Sequence, residues 1–307
     1  MINAAFVFPG QGAQYVGMGK EFYETSPQAK SIFDEAGQIL QNDFLDVVFN
    51  GPTEKLIATA YCQPGILTFS LAALSVFRAH PKFQNINVKF TAGLSLGEYS
   101  ALAASGALSF ADTIRLVERR GAFMEEATRL NAGKMAAVIG FDRDQLIGIC
   151  KETGAEVANF NSPKQIVITG HAQNVEEACR RIKEAGAKTV IPLEVSGAFH
   201  SSLMRPAAEK FAVVLKDVKI NVPSIPVVSN VDGKPSSDPE ETRKKLAQQI
   251  TSSVQWVNSI QYMAGQGVTD FIEIGPGRVL TGLIKRIDSN LKLHNIEKPE
   301  DVLNLPF

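Results

Sequence analysis

Between Val88 and Ala104 the chain passes from an extended run to a helical one across Gly93-Leu94-Ser95-Leu96-Gly97, and few folds accept such a corner. Val88–Ala92 carries β-branched and aromatic residues with no Gly or Pro, which reads as a strand. Glu98–Ala104 reads as a helix, and Gly106 supplies its stop. Glycines at both second neighbours of Ser95 let the backbone turn sharply, so the hydroxyl projects clear of a sheet, as in a nucleophile elbow. The same corner sets helix-start N–H groups, that of Leu96 among them, where negative charge would develop. A small-residue turn whose serine only caps the helix is the simpler alternative.

Strand-like runs alternate with amphipathic helices along the chain, which predicts an α/β fold with a central, mostly parallel sheet. The main-body strands are expected at Ala4–Phe8, Val88–Ala92, Ile225–Asn230 and Thr269–Ile274. One segment has its own order: strand Met135–Gly140, helix Arg143–Thr153, strands Glu156–Asn161 and Gln165–Thr169, helix Val175–Ala185, strand Lys188–Val195. That β-α-β-β-α-β order is ferredoxin-like. We therefore expect a large domain from residues 1–131 and 197–307, and a small inserted domain at 132–196 overhanging the elbow.

The 307 residues are 45% hydrophobic and 21% charged, with a formal net charge of -1. Nucleic acid is an unsuitable partner for so balanced a chain. The N-terminal run to Phe8 has no positive leader and breaks at Pro9-Gly10, as a buried first strand does. No apolar stretch reads as long enough to span a membrane. Cys62, Cys150 and Cys179 are odd in number, scattered and without metal-ligand spacing, as expected of reduced thiols in a cytoplasmic protein.

A serine hydroxyl needs a base, and the chain offers four histidines. His80 reads as serving a helix end, and His171 and His294 read as solvated. His200 follows a strand and a Gly-Ala-Phe turn and opens a helix, so it is either the base or a helix-start histidine bonded locally. On the helix from about Phe110 to Arg129, the apolar stripe Ile114, Val117, Gly121, Met124 places Arg120 inward and Arg119 outward. An inward arginine needs an acid: one of the chain's own, or a substrate carboxylate. Phe8-Pro9-Gly10-Gln11-Gly12 is a strand and a Gly-rich turn where Gln11 either adds a second oxyanion donor or sits on a plain surface turn. Gly275-Pro276-Gly277-Arg278 lacks the phosphate-loop patterns and reads as a plain corner.

Taken in order, Phe8–Gly12, Gly93–Glu98, Arg119-Arg120-Gly121, Gly197–Ser201 and Gly275–Gly277 resemble the signature of malonyl-CoA:acyl carrier protein transacylases over nearly the whole chain. The resemblance implies a hydrolase-like body with a ferredoxin-like insert, Ser95 as acylated nucleophile, His200 as base, and Arg120 as the clamp for a malonyl carboxylate. It also implies an oxyanion hole from the N–H groups of Gln11 and Leu96, and a backbone carbonyl at Gln249, or its neighbour Gln248, that orients the histidine. Malonyl-CoA and the phosphopantetheine arm of acyl carrier protein would be the partners, with no metal or redox cofactor. Phe199 would restrict room for an α-branch. Basic clusters at Arg243-Lys244-Lys245 and Lys285-Arg286 would either meet the carrier or form solvated helix faces. A serine esterase or thioesterase, and a non-catalytic docking module, are the competing functions.

Overall fold

The computed structural model describes residues 1–40 and 43–307. Among the described residues, ten strands form two sheets. Strands β1 (Ile2–Phe8), β2 (Ile86–Gly93), β7 (Val227–Val228), β8 (Pro235–Ser236), β9 (Asp270–Ile274) and β10 (Lys292–Ile296) make a six-stranded sheet, in the order β10-β9-β1-β2-β7-β8. Every pairing in it is parallel except β7 with β8. Strand β1 lies at its centre and alternates between two buried clusters. Ala4, Phe6 and Phe8 join Phe69 and Phe77, whereas Ala5 and Val7 join Trp256, Ile260 and Leu283. Both faces of a parallel sheet must be covered, and helices on each side do this.

Register places the site. Phe8 pairs with Gly93, so β1 and β2 end together at the carboxyl edge. The turn after β1 therefore touches the turn after β2, and the Leu94 N–H donates to the Phe8 carbonyl at 3.1 Å. The approach is backbone to backbone. A Cβ at Gly10 would lie 2.4 Å from the Leu94 oxygen, one at Gly93 2.0 Å from the Gly97 carbonyl, and one at Gly97 2.0 Å from the Phe8 oxygen. No side chain fits at any of the three.

The second sheet has β3 (Gly133–Ile139), β4 (Glu156–Ser162), β5 (Gln165–His171) and β6 (Thr189–Pro192), ordered β4-β5-β3-β6 and antiparallel throughout. Helices Arg143–Thr153 and Ala172–Glu184 complete the ferredoxin-like β-α-β-β-α-β order. Ala136 and Val138 pack under these helices with Leu146 and Ile182, while Met135, Ala137 and Val167 turn to the main body. Strand β4 is also tied to the body: the Phe160 N–H donates to the Val254 carbonyl, and the Val254 N–H to the Ala158 carbonyl.

Several expectations are corrected. Only Val227 and Val228 of the run 225–230 form strand, because Pro223 and Pro226 lack donors and Asn230 is committed elsewhere. Strand β10 is an addition, a half-buried edge strand without clean alternation. Helix Thr59–Ala79 has the length and apolarity of a membrane span, contrary to the sequence reading, yet 78% of its most apolar window is buried inside the protein. His294 is not solvated: its Nε2 lies 2.8 Å from the buried Asp270 carboxylate. His80 caps the end of helix Thr59–Ala79, its N–H donating to the Phe77 carbonyl at 3.1 Å, and its ring also accepts the Lys82 N–H of the turn that follows. Arg243 bonds to the carbonyls of Leu215 and Val218, and Lys245 pairs with Asp232 and Glu241, so that cluster is largely used internally. All three cysteines are free, and burial pushes the Cys62 and Cys150 thiols up to about 12.

Candidate active site

Ser95 sits at the elbow with φ 53°, a left-handed conformation that side chains adopt only when surroundings enforce it. Asn230 does much of the enforcing. Its Oδ1 accepts the Ser95 N–H at 2.6 Å, and its Nδ2 donates to the Gly93 carbonyl at 2.7 Å. The Ser95 N–H is thereby engaged, which leaves the next one, at Leu96, at the start of helix Gly97–Ala104. The N–H groups of Gln11 and Leu96 have no partner among the described residues, and both residues line the same cleft.

His200, 4% exposed and also at positive φ (57°), lies with its Nε2 2.8 Å from Ser95 Oγ. Its Nδ1 is 2.8 Å from the Gln249 carbonyl and 3.2 Å from that of Ser252. Carbonyls only accept, so Nδ1 carries the hydrogen and the Nε2 lone pair faces the serine. Burial, and then the Arg120 charge, pull the imidazole down to about 4, while the two carbonyls act in the opposite sense. It is therefore uncharged at neutral pH. Gln249, not Gln248, provides the carbonyl.

Arg120 is fully buried. Its Nη2 donates to Ser95 Oγ at 3.0 Å and to Gln249 Oε1 at 3.2 Å, its Nη1 to Gln63 Oε1 at 2.8 Å, and its Nε has no partner. The Tyr99 ring lies 5.3 Å from its Cζ. No carboxylate among the described residues comes within ion-pair distance. A buried guanidinium held only by neutral groups is poised for an incoming anion.

Ser95, His200 and Gln63 border a cleft of about 310 Å³ between the two sheets. Gln11, Leu96, Met124 and Phe199 line it from the body, and Met135 and Val167 from the small sheet with Leu193 just beyond β6. Arg120 is not itself among the lining residues but bonds to two that are, Ser95 and Gln63. Of the residues singled out in the sequence, Ser95, His200, Arg120, Gln249, Gln11 and Leu96 all converge here. Gln63, Asn230 and Glu98 were missed. The signal for Gln63 was a lone amide inside the apolar run 59–77. Glu98 and Asn230 gave no such signal, because their partners are distant in sequence.

Fold and geometry together place the chain among α/β proteins built for acyl chemistry at a serine. Residues 5–297 match the acyl transferase domain family. The malonyl CoA-acyl carrier protein transacylase of Bacillus subtilis (strain 168) is 46% identical over 307 residues, covering 98% of this chain and 96% of the relative. The crystal structure of acyl-carrier-protein-S-malonyltransferase from Bartonella henselae superposes with TM-score 0.94 at 39% identity, over 99% of this chain and 98% of that one. A malonyl-transacylase solved in complex with its type II PKS acyl-carrier protein superposes with TM-score 0.93 at 40% identity, over 98% of each chain. The chain belongs to the malonyl CoA-acyl carrier protein transacylase family.

Proposed function

We propose that the chain moves a malonyl group from malonyl-CoA, through an ester on Ser95, to the phosphopantetheine thiol of acyl carrier protein, feeding fatty acid or polyketide synthesis. The observation that carries this reading is the convergence of His200 Nε2 and Arg120 Nη2 on Ser95 Oγ, at 2.8 and 3.0 Å. His200 takes the serine proton as the oxygen attacks the thioester carbonyl. The developing oxyanion lies between the Gln11 and Leu96 N–H groups, where losing one donor costs about 100- to 1,000-fold in rate. The tetrahedral intermediate collapses, the C–S bond breaks, and coenzyme A leaves with the proton held by His200. The carrier thiol then enters, gives its proton to His200 and reverses the sequence.

Arg120 receives the free carboxylate of the malonyl group, exchanging its contacts with Gln63 and Ser95 for a charged partner. Phe199, on the cleft wall beside His200, limits space for an α-branch. Carrier protein as the acceptor is supported by the relative solved with its own carrier. Residues 132–196 act as one inserted domain that roofs the cleft. A cytoplasmic location is part of this reading, supported by three free thiols.

Intact-mass measurement tests the proposal. Brief exposure to malonyl-CoA should add one malonyl group at Ser95, and holo carrier protein should remove it. Rapid release of free malonate without any acceptor would point to a thioesterase, and absence of labelling to a docking module.

A further inference from the structure

Behind the nucleophile lies a buried carboxylate that the mechanism above does not use. Glu98, 3% exposed, accepts from Gln249 Nε2 at 2.6 Å and from the Asn230 N–H at 3.1 Å, both on Oε2, and the Ser229 hydroxyl bonds to the same carboxyl group. Gln249 Oε1 accepts from Arg120 Nη2 at 3.2 Å. One side-chain amide thus stands between a buried carboxyl group and a buried guanidinium, donating to the first and accepting from the second; burial pushes the Glu98 carboxyl up, whereas the donors gathered on it and the Arg120 charge act to keep it ionised. The charges feel each other, yet they do not form an ion pair. The spacing has a consequence for an incoming anion. A carboxylate touching Arg120 would lock its donors away from substrate, and a carboxylate wholly absent would leave the guanidinium uncompensated and strongly anion-binding.

We propose that Glu98 is a screened counter-charge to Arg120, relayed through the Gln249 amide, that weakens the grip of the guanidinium on the malonyl carboxylate so that the acyl group can be handed on. The inference rests on the reading of Arg120 as the malonyl clamp. Glu98 touches no substrate and is a positioning residue that acts through Gln249 and Arg120. Binding energy that holds donor, acyl-enzyme and product equally tightly lowers KM without raising turnover, so an unscreened clamp would slow release.

Glu98→Gln isolates the charge. The new Oε1 can accept from Gln249 and Asn230, and the new Nε2 can donate to the Ser229 hydroxyl, so shape and hydrogen bonds are kept. The measurement is the equilibrium between malonyl-CoA and malonyl-enzyme at fixed free coenzyme A, read by intact mass, with acetyl-CoA in parallel. Glu98→Gln should shift the malonyl equilibrium toward the acyl-enzyme by about three- to tenfold and leave the acetyl equilibrium unchanged. Turnover to holo carrier protein should fall. In an Arg120→Ala background the same substitution should do nothing, which a merely structural role would not predict. A folded Glu98→Gln protein with an unchanged malonyl equilibrium, or with malonyl and acetyl shifted alike, overturns the inference and leaves the clamp standing. If Arg120→Ala alone leaves the malonyl-to-acetyl ratio unchanged, the clamp fails and this inference fails with it. Should the Gln variant not fold, Glu98→Met carries the test. If neither folds, Glu98 is a requirement of the fold and the inference is withdrawn.

Discussion

Arg120 donates to the Oγ of Ser95 at 3.0 Å, so the group assigned to the acyl tail already rests on the attacking oxygen. A malonyl carboxylate must take that donor over. Arg120→Ala should therefore lower kcat/KM for malonyl-CoA by about 10- to 150-fold, the worth of one charged hydrogen-bonding contact. The acetyl-CoA rate should hold or rise, and steady-state rates with both thioesters check this. An undiminished malonyl preference would remove the clamp.

Removing the base should be felt in both half-reactions. His200→Ala should slow acylation by about 100- to 10,000-fold while Ser95 stays in place. Ser95→Ala should abolish covalent labelling outright. Stopped-flow release of coenzyme A, with the labelled protein weighed afterwards, measures both. A His200→Ala protein that acylates at the parent rate would mean that another group accepts the serine proton.

The parts of this site legible in sequence were those set by local geometry. Ser95 announced itself because Gly93 and Gly97 are required by backbone contacts of 2.0 Å, a demand no other residue meets. Arg120 was legible because helix phase alone turned it inward. The Gln249 carbonyl came only through family resemblance, since nothing local marks which backbone oxygen faces a ring 49 residues away. Glu98 and Asn230 were illegible for the same reason: their contacts join segments more than 130 residues apart. Strand β10 escaped because an edge strand with a half-buried pattern carries little alternation. His294 escaped because Asp270 meets it only across the pairing of β10 with β9.

The pH dependence follows from His200, whose imidazole is held down at about 4 from an ordinary 6.5. The base is neutral through the physiological range, so acylation should be flat there and fall only as pH approaches about 4. Stability has the same origin. Above pH 6.5 folded and unfolded chains both carry the neutral ring, and no difference arises. Between 6.5 and about 4 only the unfolded chain takes up the proton, so stability falls with pH across that window, by on the order of 3 kcal/mol in total. Urea unfolding at a series of pH values should show the slope, and His200→Gln should flatten it. An unchanged slope in that variant would assign the acid sensitivity to other groups.

The contact between the two turns predicts the largest stability loss. Gly97→Ala sets a Cβ 2.0 Å from the Phe8 oxygen and 2.8 Å from its carbon, backbone atoms in the central strand that cannot give way cheaply. The elbow would have to lift off β1, at about 3–5 kcal/mol by urea unfolding. Acylation should fall too, because lifting the elbow parts the Leu96 N–H from the Gln11 N–H. Gly148→Ala is the matched control: it lies inside helix Arg143–Thr153 with no atom within 4 Å of the new Cβ. That change should stabilise by about 0.5–1 kcal/mol through helix propensity. A Gly97→Ala protein as stable and as active as its parent would show that the turns after β1 and β2 can separate freely, and the shared corner would no longer account for where Ser95 stands.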